Sequence, residues 1–345
     1  MNSKYNNIKQ VLIIRHGAIG DIVHSTATYR LIKKALINVD IDYLTDPINE
    51  CLLINDPDIN KVIKLDKKVY NNYKALFKLG KSLNKNNYDL VVNLQPSVKT
   101  NFLTFIINPK NSLIYKKIRF SKRKNETHTV NVFMNTLKPI SLDIIMPDEL
   151  KLYLSEKSID WAINLLNKSF KTNLVAIIPG VSKQRENKLW PKEYWISLLK
   201  YLTITLNKRV IIIGGDLEVN IASEFEKINP DKIKSFCGQF SLSETASLMS
   251  QCNIVIGSDT GPTHIASTLG VNVIGLYGPT SHQKVGLIGK NNVNLISQFE
   301  CLSCDLKKCN HSSLIDLYSP CMKAISVEQV IEQINNIESK ITAFK

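Results

Sequence analysis

Apolar runs of four or five residues, each closed by a polar or glycine-bearing turn and followed by a stretch with helical spacing, recur along the whole chain. The stretches at 11–15, 40–44, 61–65, 90–94 and 112–114 are candidate strands, and Val11-Leu12-Ile13-Ile14 has the continuous apolar character of a strand covered on both faces. Between several of them, 22–36, 72–84 and 99–107 carry apolar residues at three- and four-residue intervals, which predicts helices. The pattern loosens over 139–154, where Pro139 and Pro147 interrupt it, and this stretch reads as a linker. It then resumes, with helices predicted at 158–167, 192–206, 217–228, 242–251 and 263–269 and strands at 174–178, 209–214, 234–236, 254–257 and 273–276. Alternation of this kind is the grammar of a doubly wound parallel sheet, so the chain reads as α/β with two Rossmann-like halves. The expected boundaries are an N-terminal domain over 1–150, a C-terminal domain over 151–325 and a C-terminal helix over 326–345 returning to the first domain.

Two strand-to-helix junctions carry candidate chemistry. In Ser258-Asp259-Thr260-Gly261-Pro262-Thr263-His264, an apolar run feeds a polar loop that opens a helix. The first N–H groups of a helix have no intrahelical partners and sit at the positive end of its dipole, so an anion such as phosphate is the natural ligand. Thr260 and Thr263 add hydroxyls, Gly261 permits close approach, and Pro262 suits the first turn. The plain alternative is a well-capped βα turn. The second junction runs from Val11-Leu12-Ile13-Ile14 through Arg15-His16-Gly17-Ala18-Ile19-Gly20-Asp21; it lacks the third glycine of the dinucleotide fingerprint. Asp21 reads either as a dipole-favoured first-turn carboxylate or as a functional acid.

At 345 residues, 44% of them apolar, the chain has material for two cores. No run is long enough to span a membrane, and Met1-Asn2-Ser3-Lys4-Tyr5-Asn6-Asn7 lacks the apolar centre of a signal peptide, so a cytosolic location is expected. The formal net charge of +14 favours an acidic partner. Six cationic side chains fall within the nine residues 116–124, either as a solvated loop or as a contact surface. Aromatic residues make up 8% of the chain and no nucleic-acid module is recognisable, so nucleic acid is not the expected partner. Of seven cysteines, Cys51, Cys237 and Cys252 read as ordinary thiols. Cys301-x-x-Cys304, Cys309 and Cys321 form a cluster that suits either a structural zinc or reduced thiols, although the last two lack paired ribbon spacing.

The two junctions and the chain between them resemble the heptosyltransferases of glycosyltransferase family 9, which build the inner core of lipopolysaccharide. The resemblance rests on Val11-Leu12-Ile13-Ile14-Arg15 with Gly20-Asp21-Ile22-Val23-His24, on 89–95, on His128-Thr129-Val130, and on Pro179-Gly180-Val181-Ser182 followed by Lys188-Leu189-Trp190-Pro191. Its strongest part is the loop from Ser258, continued through Gly278-Pro279-Thr280. The resemblance implies a GT-B architecture, two Rossmann-like domains facing across a cleft, with the donor in the C-terminal half. It implies an inverting, metal-independent transfer from a nucleotide-diphosphate sugar, usually ADP-heptose, with Asp21 as base. Donor contacts implied by position are Ser182, Lys188, Asp259, Thr260, Gly261 and His264, and Glu218 is placed for a ribose or as a helix acid.

The two Asp-x-Asp candidates, Asp40-Ile41-Asp42 and Asp56-Pro57-Asp58, look like strand and turn carboxylates rather than metal ligands. On the acceptor side, Gly20, Lys99, Lys122 and Arg123 are expected to meet an anionic lipid-linked glycan, which would bring the enzyme to the cytoplasmic face of the inner membrane. His16-Gly17-Ala18, Asn93 and Pro96 depart from the family pattern, so the acceptor sugar is not specified. A sugar-nucleotide epimerase of the same fold is the principal rival, needing a nucleotide diphosphate but no acceptor.

Overall fold

The computed structural model describes residues 7–116, 127–140, 142–166, 173–301, 303–311 and 318–343. The chain forms two compact units, Met1–Tyr153 and Leu154–Lys345, dividing within the predicted linker.

In the first unit, β1 (Gln10–Ile14), α1 (Ile19–Ala35), β2 (Asp40–Thr45) and β3 (Lys61–Lys64) are followed by the short α2 (Lys67–Tyr70), α3 (Tyr73–Asn84), β4 (Leu90–Asn93), α4 (Val98–Ile107), β5 (Asn111–Ile114) and α5 (Thr129–Met134). The strands form one parallel sheet in the order β3-β2-β1-β4-β5. Helix starts are chemically marked. Asn72 accepts from Lys74 and Ala75 N–H at the head of α3, while Ser97 and Thr100 make a reciprocal capping box on α4. Leu12, Ile14, Leu44, Leu76, Val91 and Leu103 meet in the core between sheet and helices.

The second unit contains α6 (Glu156–Leu166), β6 (Leu174–Ile178), α7 (Lys192–Lys200), β7 (Arg209–Ile212), α8 (Val219–Glu226), β8 (Ile233–Ser235), α9 (Leu242–Ser250), β9 (Ile254–Ser258), α10 (Gly261–Ala266), β10 (Asn272–Tyr277), α11 (His282–Val285), β11 (Asn292–Ile296), α12 (Pro320–Lys323) and α13 (Val327–Ala343). Its parallel sheet runs β11-β10-β9-β6-β7-β8. The helix predicted over 192–206 ends at Lys200 and continues as a wider π turn, Tyr201–Thr205. The helix predicted over 217–228 begins as a 3-10 turn, Asp216–Glu218. Strand β11 escaped the periodicity because every residue in it is only half-buried at the sheet edge.

The C-terminal helix, expected as a separate segment returning to the first domain, instead contributes Val327, Val330, Ile334 and Ile337 to the core of the second unit. Their three- and four-residue spacing makes one apolar stripe. Lys208 pairs with Glu338 at 2.7 Å, and Trp190 Nε1 donates to the carbonyl of Ile325 at 2.8 Å, fixing the segment that leads into the helix.

Both sheets reverse their winding once, between β1 and β4 in the first unit and between β6 and β9 in the second. Loops leaving the carboxyl ends of the strands diverge at such a point and open a crevice there, where α/β proteins bind ligands. The junctions read from the sequence follow these strands: Asp21 comes after β1, Lys99 after β4, Lys188 after β6 and Asp259 after β9.

Candidate active site

At the β6/β9 crevice the side chains of Lys188, Asp259 and His264 form a buried cluster. Lys188 Nζ donates to Asp259 Oδ2 at 2.6 Å and to its carbonyl at 2.9 Å, and His264 Nε2 lies 2.8 Å from Asp259 Oδ1. The loop is tied at further points: Ser258 Oγ donates to the Lys188 carbonyl at 2.8 Å, and Thr263 Oγ1 donates to the Ser258 carbonyl at 2.7 Å and lies 3.0 Å from Thr260 Oγ1. Burial opposes ionisation of Asp259, but the His264 hydrogen bond and the Lys188 charge more than offset it and hold the carboxyl far below the usual range. A charge pair of this kind keeps a loop in one geometry, because a separated partner would be left buried and uncompensated. Gly261 and Pro262 open α10 directly behind it, with Thr260 at the N-cap.

Glu218 lies at the neighbouring β7 loop. Its Oε2 accepts from Gly215 N–H at 2.8 Å, and its side chain lies across Gly180, where an added Cβ would come within 2.2 Å of Glu218 Cδ. Absence of a side chain at Gly180 is therefore what admits the carboxylate. Ser182 stands at the start of the 3-10 turn Lys183–Lys188 and makes no capping bond. The predicted donor residues thus gather along the adjacent strand ends β7, β6 and β9.

In the first unit, Gly20 and Asp21 occupy the first turn of α1. A residue without a predicted role, Arg15, forms an ion pair with Asp21 through Nη2. Its Nη1 donates to the Leu94 carbonyl at 2.6 Å, and its guanidinium lies 5.2 Å from the centroid of the Phe133 ring. These contacts leave the guanidinium little freedom, so it presents the Asp21 carboxylate from a fixed mount. Position at the end of β1 beside an acidic helix turn was the available signal for it. Lys99 donates to Asn71 Oδ1 at 2.6 Å and lies 4.8 Å over the Tyr70 ring, which stacks on His16 at 4.6 Å. This chain of contacts connects Lys99 to the β1 loop that precedes Asp21. Lys122 and Arg123 lie outside the described residues.

Cys301, Cys304 and Cys309 are half-buried, whereas Cys321 packs into the apolar core, and all four line one small cavity with Asn187, Leu306 and His311. Burial first, and then the neighbouring thiols, push Cys321 up to about 12. Of the two readings of this cluster, a structural zinc finds no support: among the described residues no three or more His, Cys, Asp or Glu side chains are grouped to hold a metal ion. Arg185 and Asn187 donate to backbone carbonyls of Asp305 and Leu306, so the cysteine loop is docked by ordinary hydrogen bonds onto the segment ending at Lys188.

The profile of glycosyltransferase family 9 (heptosyltransferase) matches residues 76–315. Lipopolysaccharide heptosyltransferase 1 of Campylobacter coli is 28% identical over 360 residues, which covers 95% of this chain and 98% of that protein. Lipooligosaccharide heptosyltransferase 2 of Haemophilus influenzae is 25% identical over 362 residues, covering 96% and 99%. Among solved structures, the family 9 glycosyl transferase of Veillonella parvula aligns with a TM-score of 0.80 at 20% identity over 96% of this chain and 97% of that one. The E. coli ADP-heptose lps heptosyltransferase II aligns at 0.78 and 18%, over 96% and 99%. With two parallel-sheet units whose switch points carry these residues, the chain belongs to glycosyltransferase family 9 and has the GT-B fold of its enzymes.

Proposed function

We propose that this enzyme transfers a heptose from ADP-heptose, with inversion at the anomeric carbon, to the lipopolysaccharide core. Asp21 accepts the proton of the acceptor hydroxyl as its oxygen forms the new glycosidic bond and the bond from sugar to diphosphate breaks. The Arg15 pair through Oδ2 supports this role, because it holds the carboxylate and leaves Oδ1 for the acceptor. Negative charge grows on the departing diphosphate, and Lys188 with the Gly261 N–H stabilises it by preorganised electrostatics. Protein groups supply this neutralisation, so the transfer uses no divalent metal. Ser182, Thr260 and His264 complete the diphosphate side, Glu218 takes the ribose, and Gly20, Lys99, Lys122 and Arg123 take the anionic lipid-linked acceptor at the cytoplasmic face of the inner membrane.

The observation that carries the donor half of this reading is the Lys188–Asp259–His264 cluster at the β6/β9 switch point. Incubating the protein with a panel of nucleotide sugars and heptose-deficient lipopolysaccharide tests it by mass spectrometry. ADP release and a heptose mass increment on the acceptor are expected; a donor epimer, of unchanged mass and identified by NMR, formed in the absence of acceptor with no change in acceptor mass would select the epimerase instead.

A further inference from the structure

Charge is distributed very unevenly along this chain. Residues 67–142 contain fifteen Lys and Arg but only two carboxylates, Asp89 and Glu126, so this stretch accounts for nearly all of the net +14. Asp89 is already engaged, accepting from Lys9 and Gln10 N–H at 2.8 and 3.0 Å and pairing with Lys110 at 2.7 Å. Within the stretch, α3 and α4 carry no acidic residue at all.

The same two helices expose apolar side chains that a water-facing surface does not need. Tyr73 and Phe77 on α3 are 50% and 44% exposed, and Val98 and Phe105 on α4 are 76% and 77% exposed. They are neighbours rather than scattered positions. Gly80 of α3 fits against Ile106 and Leu103 of α4, and Tyr73 meets Phe102 edge-on at 5.4 Å, which defines the seam between the helices. At 100° per residue, Tyr73 and Phe77 fall on one side of that seam and Val98 and Phe105 on the other. Lys74, Lys78, Lys81 and Lys85 recur at intervals of four, three and four residues and form the next stripe on α3, all exposed. Lys81 Nζ lies 5.8 Å from the Phe77 ring centroid, so the cationic and aromatic rows touch.

Aromatic rings flanked by an unbroken lysine row match an anionic bilayer. The rings enter the headgroup boundary and the ammonium groups meet lipid phosphates. We infer that the α3/α4 face, with Tyr73, Phe77, Val98 and Phe105 at its centre and Lys74, Lys78, Lys81 and Lys85 along its edge, docks the enzyme on an anionic phospholipid surface. It deepens the proposed lipid-linked acceptor reading by naming the surface that meets the lipid. Attachment and transfer are measured separately, so either can fail alone.

The test is sedimentation of the full chain with vesicles of phosphatidylcholine, alone or with one-third phosphatidylglycerol, over a salt series. Wild type is expected to bind the anionic vesicles and not the neutral ones. Replacing Lys74, Lys78, Lys81 and Lys85 together by Gln should weaken binding by at least about tenfold and flatten its salt dependence. Phe77→Ser with Phe105→Ser should weaken binding by about tenfold or more while keeping the salt slope, because ring burial is not screened. ADP binding by calorimetry and the thermal midpoint should match wild type in both variants, which shows that they are folded. Equal wild-type binding to neutral vesicles, or wild-type affinity in either variant, would overturn the inference. So would a micromolar dimer in analytical ultracentrifugation that Phe105→Ser dissociates, since a second copy would then be the occupant of this face. Loss of transfer to lipopolysaccharide with intact vesicle binding would count against the reading of the reaction, not against this surface.

Discussion

Lys188 and Asp259, 71 residues apart in sequence, are joined by two hydrogen bonds, one to the carboxylate at 2.6 Å and one to the backbone carbonyl at 2.9 Å. A cation that grips both the side chain and the main chain of one loop residue fixes that loop's path as well as its charge. The side chains are 11% and 8% exposed, so neither can recover its solvation if the other is removed. The lysine therefore serves the loop that precedes α10 even before any anion arrives.

Removing Lys188 from this pair should cost more than removing both members. Breaking a buried pair from one side typically costs about 3–5 kcal/mol, because a charge stays buried without its partner. Lys188→Met is expected near that range in urea denaturation, and the double variant Lys188→Met, Asp259→Asn should recover about 1–3 kcal/mol of it. Calorimetry should show weaker ADP binding in both. Additive losses in the cycle would mean that the two residues act independently.

Asp259 also sets the sign of an acid-stability effect. Its carboxyl is ionised more readily in the folded chain than in the unfolded one, since His264 and Lys188 outweigh the burial penalty. The resulting stability is complete above the unfolded pKa of about 3.9 and is lost as pH falls below it toward the depressed native value. The stability difference between wild type and Asp259→Asn should therefore be level above about pH 5 and shrink steadily on acidification. A difference that grows on acidification, measured by urea midpoints across this range, would reverse the assignment.

Periodicity made most of the architecture legible because central parallel strands are buried on both faces; β1, β4, β6 and β9 are almost continuous apolar runs. Edge strand β11, with Asn292 and Asn294 among its apolar residues, had no such signature. The site was legible in its loops but not in its partnerships. Asp259 and His264 are five residues apart and could be read as one motif, whereas the Lys188 bond to Asp259 depends on β6 and β9 lying side by side. Arg15 was visible in the motif, but its bond to the Leu94 carbonyl depends on how β1 pairs with β4. The C-terminal helix showed its apolar stripe, yet a stripe does not say which core receives it.

Gly180 and Glu218 give a prediction in which a glycine acts through a carboxylate. A methyl group at Gly180 would overlap Glu218 Cδ, Oε1 and Cγ, all of which belong to a flexible side chain that can swing away. Gly180→Ala should therefore cost little stability, under about 1.5 kcal/mol, while displacing Glu218 from Gly215 N–H. Its loss of nucleotide affinity should equal that of Glu218→Ala, and the double variant should lose no more than either single one. Affinity losses that add together would show that Gly180 and Glu218 meet the nucleotide separately.

The acceptor half of the site makes the sharpest kinetic prediction. If Asp21 takes the acceptor proton, Asp21→Asn should reduce kcat by roughly 10²–10⁴-fold and leave ADP affinity unchanged, since the amide keeps the shape but cannot act as base. Arg15 touches Asp21 rather than the reacting atoms, so it is a positioning residue. Arg15→Met should lower kcat less than Asp21→Asn does, because the carboxylate stays but loses the group that holds it. Arg15→Lys, which keeps the charge but not the fork that also reaches Leu94, should restore kcat only in part. Adding Arg15→Met to Asp21→Asn should then cost almost nothing further in kcat. Near-normal turnover in Asp21→Asn would remove the carboxylate from the reaction. An inactive Asp21→Asn beside an Arg15→Met with wild-type rate would retain the base and discard only the role of its mount.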